Sequence, residues 1–296
     1  MKKANPERRL PGFLVIGAMK CGTTTLYHDL RSHPSIFLPD KEGNFLFAAY
    51  PGPVYAAACA PAREGLLLGD VSPDYAKLPE SAAAVPAARA LFSRSPKLLY
   101  LVRDPIRRLL SHHHFVLTRR DGSGPAIPPT IDRAAREFPA LLNYSRYATQ
   151  LRPWIDAFGR EAVKVIRFED YVADRAAALA EIGEFLGLAR PFPDAGLATV
   201  HNPSAGRPVL TPFWSRVRQS AAYRRFVRPL TTPEMRDRLR RLLLPKSGGN
   251  PARPGRRTLE FLIAELGPEV AALADLTGSD SPFWDLEETA RRILDA

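Results

Sequence analysis

Cysteine is almost missing from this chain: Cys21 and Cys59 are the two in 296 residues, and they form no CxxC pair. That excludes a disulfide framework and a structural zinc knot, and it fits a reducing compartment. Lysine is scarce as well. Eight of the 42 basic residues are lysines, so arginine carries the bulk of the positive charge, and Lys20 and Lys41 mark places where a compact ammonium is wanted. No apolar stretch approaches the roughly 18 residues of a membrane span. A basic start followed by the short apolar run Gly12 to Ala18 has the outline of a signal peptide. It ends at once in Lys20-Cys21-Gly22-Thr23 with no small-residue cleavage site, so it reads as a buried strand, and the chain as soluble and cytoplasmic.

What is present in excess is positive charge: +11 overall, with a pI near 9.9. Such a balance points to an anionic partner (nucleic acid, acidic lipid, polyanionic glycan or phosphorylated nucleotide) or to a basic surface with no partner at all. Apolar residues make up 45% of the chain, enough for a large core.

Four apolar runs have strand length: Gly12 to Ala18, Leu66 to Asp70, Lys97 to Val102 and Val163 to Phe168. Helical spacing follows or separates them at Thr23 to Leu30, Ser81 to Phe92, Ile106 to Thr118, Arg146 to Phe158 and Val172 to Leu186. Unbroken apolar strands alternating with helices predict an α/β fold, a parallel β-sheet flanked by helices on both faces. Two turn-rich segments, Asp121 to Thr130 and Pro245 to Gly255, read as long surface loops. From Thr211 onward the pattern is mostly helical and basic. No repeat and no interdomain linker is visible, so the expectation is one domain over 1–296, with a nucleotide-binding core at about 12–188 and a helical C-terminal portion at about 211–296.

The strongest local motif is Gly17-Ala18-Met19-Lys20-Cys21-Gly22-Thr23-Thr24-Thr25, set between a strand and a helix start. Backbone N–H groups and the helix dipole hold phosphate at such a junction. A Walker A loop reads G-x-x-x-x-G-K-[ST]. Gly17 and Gly22 have that spacing, but Thr23 stands where the lysine belongs, and Lys20 precedes the second glycine by two residues. Metal-assisted ATP hydrolysis needs the lysine beside the outer phosphates and a carboxylate for the metal, so the loop suits a nucleotide with a single 5′-phosphate chain better. The plainer alternative is a tight glycine turn before a helix capped by threonine. A second motif, Arg103-Asp104-Pro105, closes the Lys97 to Val102 strand, with Ser111 about two helical turns further on. Strand carboxyl ends are where α/β folds bind ligands, and an arginine with a serine hydroxyl can clasp a separate phosphate. Taken alone, they also read as a salt-bridged arginine and a helix serine.

His112, His113 and His114 invite a metal reading, but successive helix residues point about 100° apart and do not converge on one ion. One of them, His112 or His113, can instead face an acceptor cleft or simply pack.

Taken together, these motifs resemble the PAPS-dependent sulfotransferase family, especially its carbohydrate (heparan-sulfate type) and bacterial members; PAPS is 3′-phosphoadenosine 5′-phosphosulfate. Lys20 to Thr25 is similar to the family's loop for the 5′-phosphosulfate, and Leu101 to Pro105 with Ser111 to its 3′-phosphate site. Further similar pieces are His33-Pro34, Lys41-Glu42, Ser72 to Tyr75, Arg146 to Ala148, Phe168 to Asp170, Phe185 to Leu188, and Val270 to Leu276 with Trp284. The likeness is good over Gly12 to Leu188 and loose at the C-terminus. Gly43-Asn44-Phe45 departs from the family's more frequent Pro-His, and Pro203 to Lys246 matches little.

The resemblance implies a P-loop-like α/β fold and a sulfotransferase that moves a sulfuryl group from PAPS to a hydroxyl or amine of a carbohydrate or small molecule, releasing PAP. It implies donor contacts from Lys20, Cys21, Gly22, Thr23, Thr24, Thr25, Arg103 and Ser111. Lys20 would steady the departing oxygen and Glu42 would take the acceptor proton, with no metal. The rivals are a P-loop nucleotide kinase or NTPase, and a basic nucleic-acid-binding protein, although no recognition-helix or RNA-binding pattern appears.

Overall fold

The computed structural model describes residues 10–118, 127–193 and 253–295. Residues 121–126, 211–252 and the Pro203 to Lys246 stretch, expected as loop or basic helix, lie outside the described residues.

Strand β1 (Phe13–Gly17) is buried at all five positions, and β4 (Lys97–Val102) at every position but Lys97. A strand this uniformly apolar must be covered on both faces. With β2 (Ile36–Phe37), β3 (Leu67–Val71) and β5 (Val163–Arg167) they form one parallel five-stranded sheet in the order β2-β3-β1-β4-β5. Register is set by pairs such as Leu14 with Asp70 and Leu14 with Leu98. The β2 strand escaped the sequence pattern because two residues show no periodicity.

Helix α1 (Thr23–Ser32) follows β1, and α2 (Pro51–Ala58) and α3 (Ala84–Leu91) flank β3. Between β4 and β5 lie α4 (Pro105–Thr118), α5 (Ile131–Glu137), α6 (Ala140–Asn143) and α7 (Tyr147–Phe158). The chain reverses direction across the sheet after β2, so right-handed crossovers put α1 on one face and the helices between β2 and β5 on the other, while the segment after β5 returns to the α1 face. Contacts agree. The Arg175 guanidinium and Tyr171 hydroxyl both donate to the buried Asp29 carboxylate of α1. On the other face Gln150 of α7 exchanges hydrogen bonds with both backbone groups of Leu78, at 2.7 and 3.2 Å.

One helix expected over Val172 to Leu186 is in fact two, α8 (Phe168–Ala173) and α9 (Arg175–Leu186). Asp174 leaves helical geometry at φ −136°, ψ 85° and accepts the Ala177 N–H at 2.9 Å, capping α9. The chain ends in α10 (Arg256–Thr277) and α11 (Leu286–Asp295). Leu259, Leu262 and Leu266 of α10 and Ala290 of α11 join Ile106, Leu109, Ile131 and Leu141 in a second apolar cluster beside the sheet core. Burying that stripe fastens the C-terminal helices to α4, the helix that carries Ser111. Among the described residues no helix is long and apolar enough to cross a membrane.

Candidate active site

All parallel strands end on the same edge of the sheet, and the candidate residues collect there. The strand β1 stops at Gly17, where a Cβ would come within 2.6 Å of the Tyr100 ring. The loop then turns through left-handed geometry twice, at Lys20 (φ 72°) and Gly22 (φ 91°). No side chain caps α1 at Gly22; the Thr25 N–H already donates to the Gly22 carbonyl at 2.9 Å, which leaves the Thr23 and Thr24 N–H groups at the helix start to face the loop. This is the geometry of a backbone anion cradle.

Within the cradle the side chains divide. Cys21 turns inward: it is fully buried with its Sγ 3.5 Å from the Tyr147 hydroxyl. Burial pushes the thiol up to about 11, so Cys21 is uncharged and serves the loop through its backbone. Thr23 and Thr25 are buried as well, and Thr24 is half-buried. Lys20 stays partly exposed, with its Nζ 4.3 Å from the centroid of the Phe115 ring on α4.

The second motif lies one strand over, at the end of β4, which pairs directly with β1. The Tyr147 hydroxyl donates to the Arg103 carbonyl at 2.8 Å, while the Asp104 N–H donates to Glu169 Oε1 at 3.0 Å. Asp104 is itself buried and receives the Arg107 N–H at 2.8 Å and the Thr289 hydroxyl at 2.5 Å, which fixes the start of α4. Burial raises its carboxyl above the ordinary range, and those two donors offset only part of the rise. Glu169 also accepts the Trp284 indole N–H at 3.1 Å, so the C-terminal segment reaches back to this site.

Phe168, the first residue of α8, joins the two motifs. A Cβ on Gly22 would meet its ring at 2.7 Å, and the Arg103 guanidinium carbon lies 5.0 Å from the ring centroid. A guanidinium over an aromatic ring gains cation–π attraction and keeps its planar donor set for hydrogen bonding. Ser111 sits on α4 and is 7% exposed. Arg108, between them in sequence, is fully buried: its Nε donates to Ser145 Oγ at 2.7 Å and its Nη2 to the Leu141 carbonyl at 2.5 Å, while its buried Nη1 has no hydrogen-bond partner among the described residues.

Glu42 approaches from the other side of β1. Its N–H donates to the Val71 carbonyl at the end of β3 at 2.9 Å, its φ is 63°, and its carboxylate pairs with Lys41. With its side chain 56% exposed, Glu42 remains open to a second substrate. The histidines are placed differently. His112 is buried and stacked 5.6 Å from Tyr144; burial and then Arg108 push its imidazole down to about 2. His113 is fully buried with its Nε2 2.9 Å from the Pro128 carbonyl oxygen, and burial lowers it too. Among the described residues no three His, Cys, Asp or Glu side chains are grouped to hold a metal.

Residues 10–195 match the family model described as the sulfotransferase domain, more than half of the chain. The chain belongs to the sulfotransferase family. It is 28% identical over 198 residues to the Mus musculus heparan sulfate glucosamine 3-O-sulfotransferase 3A1, across 64% of this chain and 48% of that protein. It is 35% identical over 126 residues to the membrane-associated sulfotransferase kil1 of Dictyostelium discoideum, across 39% of this chain and 26% of that one. The chain spans about half the length of the heparan sulfate enzymes it matches. A solved sulfotransferase from Alicyclobacillus acidocaldarius superposes with a TM-score of 0.58 at 21% identity, covering 92% of this chain and 97% of that one. The P-loop-like α/β fold expected from the motifs is therefore the observed one.

The sulfotransferase motifs were legible one by one, but their mutual support was not. Phe168 and Tyr147 entered the sequence reading as members of an apolar run and a helical segment, and as site neighbours, with Glu169, only through family resemblance; Asp70 entered it only as the last residue of an apolar run.

Proposed function

We propose that this chain transfers a sulfuryl group from PAPS to a hydroxyl of a sugar or small molecule and releases PAP. The observation that carries the reading is the pairing of an anion cradle on β1 with an arginine site on the adjacent strand β4, bridged by the Phe168 ring. Two phosphate positions separated by a nucleoside call for two such sites. The residues present fit the donor. The Cys21 N–H closes the loop on the Ala18 carbonyl at 3.2 Å; the backbone N–H groups of Gly22 to Thr24, with the Thr24 and Thr25 hydroxyls, suit the 5′-phosphosulfate, and Arg103 with Ser111 suits the 3′-phosphate.

PAPS supplies an activated sulfuryl group whose bond to the bridging phosphate oxygen breaks as the acceptor oxygen attacks sulfur. Lys20 brings positive charge to the bridging oxygen as it gains negative charge. Glu42 accepts the acceptor's proton from the open side of the site. Arg103 and the loop hold the nucleotide so that attack is in line. A kinase reading is disfavoured by Thr23 at the Walker lysine position.

Donor binding is testable without knowing the acceptor. PAP is expected to raise the melting temperature, with stabilisation growing as its concentration rises; at 100 times Kd it amounts to about 2.7 kcal/mol. ADP, which has no 3′-phosphate, and ATP with Mg²⁺ are expected to do much less. In Arg103→Ala the PAP shift should shrink to match an affinity loss of about ten- to a hundredfold, with Ser111→Ala costing less. Equal stabilisation by ADP and PAP, or an unchanged PAP affinity in Arg103→Ala, overturns the assignment of the 3′-phosphate site.

For the acceptor we favour a sugar hydroxyl. The support is the naming of the matched relatives as heparan sulfate glucosamine 3-O-sulfotransferases and a net charge of +11 that tolerates an acidic glycan. Incubation with labelled PAPS and a panel of amino-sugar oligosaccharides, simple sugars and phenols should place the label on a sugar. Efficient sulfation of phenols with sugars untouched rejects this choice.

A further inference from the structure

Asp70 is a buried carboxylate that the proposed chemistry does not use. It lies one residue before the end of β3, fully shielded from solvent. Three hydroxyls donate to it: Tyr55 Oη at 2.7 Å and Tyr75 Oη at 2.6 Å on Oδ2, and Ser72 Oγ at 2.7 Å on Oδ1. Burial raises the Asp70 carboxyl above its ordinary range, and the Tyr75, Tyr55 and Ser72 hydroxyls pull against that rise. Ionised, the carboxylate only accepts, so each hydroxyl spends its proton on Asp70 and presents its lone pairs elsewhere. Two of those lone pairs go to one short segment. Ser72 Oγ receives the Asn44 N–H at 3.1 Å, and Tyr75 Oη receives the Leu46 N–H at 3.1 Å. Burial, and next the Asp70 charge, raise both tyrosines above their ordinary values, so they keep the protons they donate.

That segment is the one that carries Glu42. Glu42 and Asn44 both adopt left-handed backbone, at φ 63° and 52°, which non-glycine residues hold only when their surroundings enforce it. The enforcement visible here consists of the Glu42 N–H on the Val71 carbonyl, the two relays from Asp70, and the Asn44 amide donating to Asp74 Oδ2 at 3.0 Å. An apolar residue would fill the Asp70 site at less desolvation cost, but it could not orient the hydroxyls.

We propose that Asp70 is a positioning residue: through Ser72 and Tyr75 it fixes the 42–46 turn and thereby the place of the Glu42 carboxylate. The proposal rests on the reading of Glu42 as the base. It goes beyond that reading by assigning a role to a residue that touches neither substrate.

The test uses Asp70→Asn in the full chain, assayed with labelled PAPS and a glucosamine-containing oligosaccharide, beside Glu42→Gln and the double variant. One amide oxygen cannot accept from three hydroxyls, and its NH₂ turns at least one of them around. The expected result is a kcat lowered by about 10- to 100-fold, the loss that a displacement near 1 Å produces. The KM for PAPS and the PAP-induced melting shift should stay within about twofold, since a positioning defect touches turnover and leaves donor binding alone. Amide exchange at Asn44 and Leu46 should speed up while exchange in β1 does not; this readout needs no acceptor. The double variant should be no slower than Glu42→Gln. A kcat within about twofold of wild type in Asp70→Asn, or unchanged exchange at Asn44 and Leu46, overturns the proposal. So does a loss in Asp70→Asn that multiplies fully with that of Glu42→Gln. Normal turnover in Glu42→Gln instead removes the base reading, a different outcome from the same plate. If Asp70→Asn does not fold, Tyr75→Phe keeps the ring and cuts the relay to Leu46, and its kcat and Leu46 exchange decide the question.

Discussion

Glu42→Gln is expected to slow sulfuryl transfer by about 10²–10⁴-fold while PAP binding stays near wild type. The substitution keeps the shape of the side chain and removes its basicity. Donor affinity should survive because the proposed nucleotide site is built from the β1–α1 loop, the end of β4, α4 and α8, whereas Glu42 is tethered to β3 through the Val71 carbonyl. The competing bases are His112 and His113. Burial and Arg108 drive His112 down to about 2, so its protonated form is hard to make, and a group that resists protonation is a poor proton acceptor. His113 is fully buried against the Pro128 carbonyl. His112→Ala and His113→Ala are therefore expected to alter stability more than turnover. Near-normal turnover in Glu42→Gln with a collapse in either histidine variant would move the base to that imidazole.

How far the fold could be read in advance depended on the range of the interactions involved. β1 and β4 were visible because a strand covered on both faces is apolar at nearly every position, and no surface requirement interrupts it. The α8–α9 break was not visible, because Asp174 reads as one more polar residue in a helical pattern until its capping bond to Ala177 is seen. The site divided in the same way. Lys20 to Thr25 and Arg103 sit in local motifs with local causes. Asp104 meets Thr289 across 185 residues, and Tyr147 meets Arg103 across 44, distances over which periodicity carries no signal. Asp70 was hidden for a different reason. A lone carboxylate closing an apolar run looks like the edge of a strand, and only its three hydroxyl donors reveal a buried charge with a task.

Lys20→Ala should differ from Glu42→Gln in kind, because it is expected to lower turnover and donor affinity together. Lys20 follows β1 directly in the anion cradle, and its φ of 72° is part of the loop's shape. Its ammonium lies 4.3 Å from the Phe115 ring centroid, so α4, the helix bearing Ser111, also helps to place it. A preorganised donor aimed at an oxygen that gains charge in the transition state is worth about 10²–10³-fold in kcat. The same ammonium meets the phosphosulfate in the ground state, so PAPS affinity should fall by about tenfold as well. Lys20→Arg separates charge from shape: it keeps the charge but offers a broad planar fork where a compact ammonium is placed, and should recover affinity better than turnover. Steady-state kinetics on the three proteins, with PAP affinity measured separately, decide the matter. If Lys20→Ala weakens PAPS binding and kcat is untouched, the lysine binds ground state and transition state equally, and charge stabilisation at the departing oxygen must come from the loop's backbone N–H groups instead.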